Sequence, residues 1–162
     1  MTLLRTLIAD EGKGMRAGIK RSLQDFQLMI PDLAGDFGFV FEEAATGDEA
    51  GAIIGEGRAD LVLMSVKLPG KGGLDVLAEV TASDGANDTA IIMIADAAST
   101  ETAIAATRQG AADFLPKPFT AADLRHAVRR AEKGLLLARR ARELEAERKQ
   151  VRFEFIRVLG HE

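Results

Sequence analysis

The sequence contains no cysteine. That excludes a disulfide framework, a thiolate nucleophile and a zinc–thiolate site, and it fits a reducing compartment. No apolar run approaches the ~18 residues of a membrane span, and the amino terminus lacks a signal-peptide pattern. A soluble, cytoplasmic protein without a membrane partner is expected. None of the four prolines lies beyond residue 118. Between Thr120 and Leu159 no proline therefore intervenes, and the only internal glycine is Gly134.

What remains is enough for one ordinary domain and an appendage: 162 residues, 47% of them apolar. The net charge of −4 hides an asymmetry. Residues 1–119 carry 10 Lys and Arg against 18 Asp and Glu, whereas residues 120–162 carry 11 against 7. The acidic head argues against nucleic-acid binding. The tail mixes both signs, as a solvated helix face does.

Apolar runs and helical spacings alternate along the chain. Leu3 to Ala9 reads as a strand ending at Asp10-Glu11, and Gly12 to Leu28 has helical spacing. Pro31 to Gly38 reads as a loop, Phe39 to Ala45 as a second strand, and Gly47-Asp48 as the opening of a helix to about Ile54. The third strand lies in DLVLMSVKLPG, residues 60–70, and Gly72 to Ala82 is helical. Ile91 to Ala95 is a fourth strand ending at Asp96. Ser99 to Gln109 follows as a helix stopped by Gly110. Ala112 to Leu115 is a short fifth strand, and Thr120 with Asp123 forms a capping box for the last helix. Five such units predict an α/β fold with a doubly wound parallel sheet.

In such a sheet, chemistry gathers at the carboxyl ends of the strands. There the sequence delivers Asp10 and Glu11, Ser65, Ala95 and Asp96, and Lys117. Acidic groups facing one lysine across a shared strand edge form a specific constellation.

The segments LIADEGKGMRAGIKRSL, ADLVLMSVKLPGKGGLDVL, IIMIADA and GAADFLPKPF carry a resemblance to the receiver domain of two-component response regulators, over about residues 4–130. The resemblance implies a flavodoxin-like sheet of order 2-1-3-4-5. It places the family's Mg²⁺-holding acidic pair on Asp10 and Glu11, and the metal's main-chain carbonyl on Lys67. The active-site lysine falls on Lys117, followed by Pro118 at a cis-peptide position. Three positions depart. The Thr/Ser that signals phosphorylation is Ala95, the aromatic switch is Phe114, and the phospho-accepting aspartate is Ser65.

These departures decide the expected chemistry. Receiver phosphorylation needs a carboxylate nucleophile and Mg²⁺ to neutralise the phosphoryl oxygens. A serine hydroxyl without a neighbouring base is a poor nucleophile, and it is a poor Mg²⁺ ligand beside carboxylates. Weak Mg²⁺ binding at most is expected, with no catalytic residue. Lys117 should pair with Asp10 or Glu11. Readings left open are an engineered serine and phosphorylation of Ser65 itself.

In the tail, Leu137, Ala141, Leu144, Arg148, Val151, Phe155 and Val158 recur at alternating spacings of 4 and 3. This predicts a parallel dimeric coiled coil. The competing reading is a helix folded back on its own domain. Residues 1–130 are thus expected to form the receiver-like domain, and residues 131–162 a helical linker. The final FEFIRVLGHE resembles the start of the dimerisation and phosphotransfer domain of histidine kinases, which would make His161 a phosphorylatable histidine. The resemblance implies an atypical receiver at the amino end of a histidine kinase. It would act by homodimerisation and by docking other two-component proteins. This fragment itself is not expected to be an enzyme. The alternatives are the receiver of a truncated transcriptional regulator, or a phospho-acceptor using a non-standard residue.

Overall fold

The run LVLMS, residues Leu61–Ser65, is buried at every position. A strand covered on both faces has no reason to alternate polar and apolar side chains, and this one does not. It is the fourth of six strands in the computed structural model, which describes residues 2–29, 36–83, 88–96 and 100–159. The strands are β1 (Thr2–Ala9), β2 (Leu28–Met29), β3 (Asp36–Ala44), β4 (Leu61–Ser65), β5 (Ala90–Asp96) and β6 (Asp113–Lys117). The helices are α1 (Lys13–Gln24), α2 (Gly47–Gly55), α3 (Gly73–Thr81), α4 (Thr100–Arg108) and α5 (Ala121–Leu159).

The sheet order is β2-β3-β1-β4-β5-β6. All pairings are parallel except that of β2, which runs antiparallel to the start of β3. Without β2 this is the expected 2-1-3-4-5 order. The sixth strand is a correction. Leu28 was expected to end the first helix, yet α1 stops at Gln24 and Leu28 pairs with Phe37. Phe26 and Leu28 extend the apolar spacing because they pack with Leu4 and Phe37, not because the helix continues. The following strand also starts earlier than expected, at Asp36, and includes Gly38. Residues 30–35 lie outside the described residues, as does Ser99 at the expected start of the fourth helix.

Two cores sandwich the sheet. On one face, side chains of α2, α3 and α4, including Ile53, Val76, Leu77 and Ala106, cover Leu7, Val62, Met64 and Met93. On the other, Ile19 and Leu23 of α1 and Leu124 and Val128 of α5 cover Ile8, Leu61, Leu63 and Ile92. Truncating a fully buried leucine such as Leu63 to alanine would cost about 2–5 kcal/mol.

Two close approaches fix where helices start. A Cβ on Gly73 would lie 2.1 Å from the Ser65 carbonyl oxygen, and one on Gly47 would lie 1.7 Å from that of Lys71. Only glycine lets α3 begin against the end of β4. The last helix opens with a reciprocal capping box. The Thr120 amide donates to Asp123 Oδ2 at 3.0 Å, and the Asp123 amide donates to Thr120 Oγ1 at 3.1 Å. These bonds hold the exposed Asp123 carboxyl below its usual range. The helix packs on the sheet through Leu124, Ala127, Val128, Ala131 and Leu135. From Ala141 to Val158 every residue is exposed, a projection of ~27 Å at 1.5 Å per residue. No described helix is long and apolar enough to cross a membrane.

Candidate active site

The chain order reverses at β1, whose neighbours are β3 on one side and β4 on the other. The crevice above this reversal is the expected site in an open α/β sheet. Asp10 stands at its rim, 5% exposed. Its amide donates to the Ala44 carbonyl at 3.0 Å, carrying the β1–β3 ladder one residue further. Its Oδ1 accepts the Gly12 amide at 2.8 Å. Its Oδ2 lies 3.2 Å from Lys117 Nζ. Lys117 ends β6, so its side chain crosses the carboxyl ends of β5 and β4 to reach β1. The expected pairing is present, with Asp10 as the partner. The Lys117–Pro118 peptide is cis.

Arg16 braces the same rim. Its Nη1 donates to the Asp10 carbonyl at 2.7 Å and its Nε to Glu43 Oε1 at 3.1 Å. Glu11, next to Asp10, is exposed. Ser65 is buried at the end of β4, with Ile94 of β5 beside it and Gly73 against its carbonyl. Ala95 is half-buried on β5. Phe114 is half-buried too and packs against the core under α2, α3 and α4. Lys67 points into solvent, 83% exposed, with Nζ 4.0 Å from Asp96 Oδ2. A pair this open contributes little. His161 lies outside the described residues.

The acidic rim is a poor fit for Mg²⁺. A hard dication of this kind takes carboxylate oxygens in near-octahedral geometry. Here one carboxylate already serves Lys117 and the Gly12 amide, and β4 ends in a hydroxyl where a further carboxylate would complete the set. Among the described residues no three acidic or histidine side chains converge.

A second polar cluster, at the opposite end of the strands, escaped the sequence reading. Asp60 precedes β4 and accepts from the Arg5 amide at 2.8 Å, from Arg5 Nε and Nη2 at 3.2 and 3.1 Å, and from Arg139 Nη2 at 3.2 Å. Burial alone would push the Asp60 carboxyl up, but the bonds from Arg5 and Arg139 outweigh it and hold the group below its usual range. Beside it, Glu132 of α5 is fully buried, and neither carboxyl oxygen has a hydrogen-bond partner. Burial first, then the Asp60 charge, pushes the Glu132 carboxyl up to about 8, with Arg139 pulling the other way. A signal was available. Glu132 sits four residues after Val128 and three before Leu135, on the apolar stripe of α5.

Fold and rim together define a receiver-type α/β module. The chain belongs to the response regulator receiver family: residues 6–129 match the response regulator receiver domain. The chemotaxis protein CheY of Listeria monocytogenes is 31% identical over 131 residues, which cover 81% of this chain and 100% of that protein. The regulatory protein LuxO of Vibrio cholerae is 39% identical over 92 residues, covering 54% of this chain but 20% of LuxO. Among solved structures, the chemotaxis response regulator CheY4 of Vibrio cholerae aligns with a TM-score of 0.68 at 26% identity, over 80% of this chain and 99% of that one. NtrX of Brucella abortus aligns with a TM-score of 0.73 at 27% identity, over 89% of this chain and 30% of NtrX.

Proposed function

We propose that this receiver works without phosphoryl transfer, as a docking and dimerising module that transmits along α5 to a histidine kinase core. The observation that carries this is the pairing of Lys117 with Asp10 at a rim where β4 ends in Ser65. A phospho-accepting receiver attacks with a carboxylate and needs counter-charge for the phosphoryl oxygens. Ser65 supplies no carboxylate, and the Lys117 charge is already neutralised by Asp10. Ala95 and Phe114 remove the hydroxyl and phenol groups through which a receiver of this family would read phosphorylation. Mg²⁺ binding is then weak or absent, and Asp10, Glu11 and Lys117 are structural remnants of the family's site.

A cleft of about 570 Å³ beside Lys117, lined by Met15, Ile19, Phe119 and others of α1 and the β6–α5 turn, supports protein docking at this end. The kinase context rests on FEFIRVLGHE and on His161 within it. A transcriptional regulator is the second reading, favoured by the match to part of the longer transcriptional regulatory protein MalR of Bacillus subtilis. The sequence following Glu162 in the gene decides between them.

The test is incubation with acetyl phosphate and Mg²⁺ followed by intact mass. An unchanged mass is expected. A stoichiometric adduct of one phosphate on the wild-type chain would overturn the proposal.

A further inference from the structure

Once α5 leaves the domain it presents a row of apolar side chains to water. Leu144 is 44% exposed, Val151 68%, Phe155 65% and Val158 66%. The 4-3 spacing puts Ala141, Arg148 and Phe155 at heptad position a, and Leu137, Leu144, Val151 and Val158 at d. The residues on either side of this seam discriminate between ways of covering it.

Position g, just before each a, holds Arg140, Glu147 and Glu154. Position e, just after each d, holds Glu145, Arg152 and Leu159 in the projecting part. In a parallel, in-register pair, each g residue faces the partner's e residue five positions on. Arg140 then meets Glu145 of the second copy, and Glu147 meets Arg152. Both contacts are attractive, and each occurs twice in the dimer. An antiparallel pair sets g against g and e against e instead, and its full-length alignment brings Glu147 opposite Glu154, a like-charged contact that offsets the attraction it allows between Glu145 and Arg152.

Building on the dimer proposed above, we infer that the seam is covered by a second copy of this chain, parallel and in register, clasped by Arg140–Glu145 and Glu147–Arg152 pairs between copies. Arg148 at a supports the two-stranded form. A single basic residue at a costs stability but selects register and strand number. In a two-stranded coil its long stem lies over the seam and its guanidinium reaches out toward Glu147 of the copy. A thicker bundle would enclose that charge. The parallel arrangement sets both receiver domains at one end and the carboxyl ends of both α5 helices at the other.

The absence of native cysteine makes the test clean. Val151→Cys, at d, is expected to form a disulfide-linked dimer under mild oxidation, whereas Lys149→Cys, on the outer face, is not. Glu147→Arg is expected to weaken the dimer about tenfold, through two attractive contacts turned repulsive. The double variant Glu147→Arg, Arg152→Glu should recover it. Light scattering of the wild-type chain separates the two levels of failure. A monomeric mass at high concentration overturns the dimer and this inference with it. A dimeric mass without the Val151→Cys link or the charge-swap recovery overturns the parallel register alone.

Discussion

Lys117 Nζ and Asp10 Oδ2 lie 3.2 Å apart, although 107 residues and two intervening strands separate them. Asp10 is nearly buried and Lys117 about a quarter exposed. The pair therefore closes the crevice electrostatically and ties the last strand to the first. Replacing Lys117 by methionine keeps most of the stem but strands the Asp10 charge. A loss of about 1–3 kcal/mol is expected in urea unfolding. An Asp10→Asn, Lys117→Met double variant should lose less than the sum of the singles, because neither change then leaves an opposed charge.

Restoring the carboxylate at the end of β4 should restore the reaction. Ser65→Asp adds a third acidic group to the Asp10–Glu11 rim and offers Lys117 an alternative partner. With acetyl phosphate and Mg²⁺, intact mass is expected to show one phosphate on Ser65→Asp and none on the wild type. If Ser65→Asp stays unmodified while folded, the remaining site is more degraded than proposed here.

Glu132 gives stability an unusual pH dependence. Its carboxyl is raised in the folded state, to about 8 from an ordinary 4.5. Folding therefore favours the protonated form. This contribution is complete below about pH 4.5 and is lost as pH rises toward 8, at up to ~1.4 kcal/mol per pH unit. Asp60 acts in the opposite sense at the acid end, because its lowered carboxyl adds stability that disappears as the pH falls through its folded value. Glu132→Gln removes the alkaline loss. The variant should melt above the wild type at pH 7.5, and the gap should narrow at pH 5, as read by circular dichroism.

Gly73→Ala would drive a Cβ into the Ser65 carbonyl, 2.1 Å away. The atom it meets is backbone, so α3 or the end of β4 must shift. A loss of about 1–3 kcal/mol is expected. Thermal denaturation no different from wild type would show that α3 slides freely on β4.

Gly134 behaves oppositely. It lies within α5, and a Cβ there would meet nothing within 4 Å. Alanine fits without strain and removes the entropic cost of glycine in a helix. Gly134→Ala should raise stability by about 0.5–1 kcal/mol. Any change in signalling by the same variant would then report on stiffness at the junction rather than on a contact.

The order of elements was legible because β4 and β5 are unbroken apolar runs and turn residues punctuate the chain between them. Gly110 marks its helix end as expected, with a φ of 101°. The rim was legible too, since strand ends in a parallel sheet converge wherever the helices go. What escaped notice depended on three-dimensional company. Leu28 reads as the next helical position until Phe37 is seen beside it. Glu132 reads as one more tail charge until Leu135 shows the helix still on the domain. Asp60 looks like a solvated loop acid, yet it gathers two arginines from opposite ends of the chain, Arg5 and Arg139.

The continuity of α5 has a mechanical corollary. The helix runs 39 residues from its capping box to Leu159, ~58 Å, with roughly its first half packed on the domain. A rod held near one end amplifies angle into distance. A reorientation of about 5° at the clamp would swing the ~27 Å projection so that its far tip moves ~2.4 Å, close to half a helical turn. A partner seated in the cleft beside Lys117 would therefore need to move nothing in the sheet to be felt at the distal end.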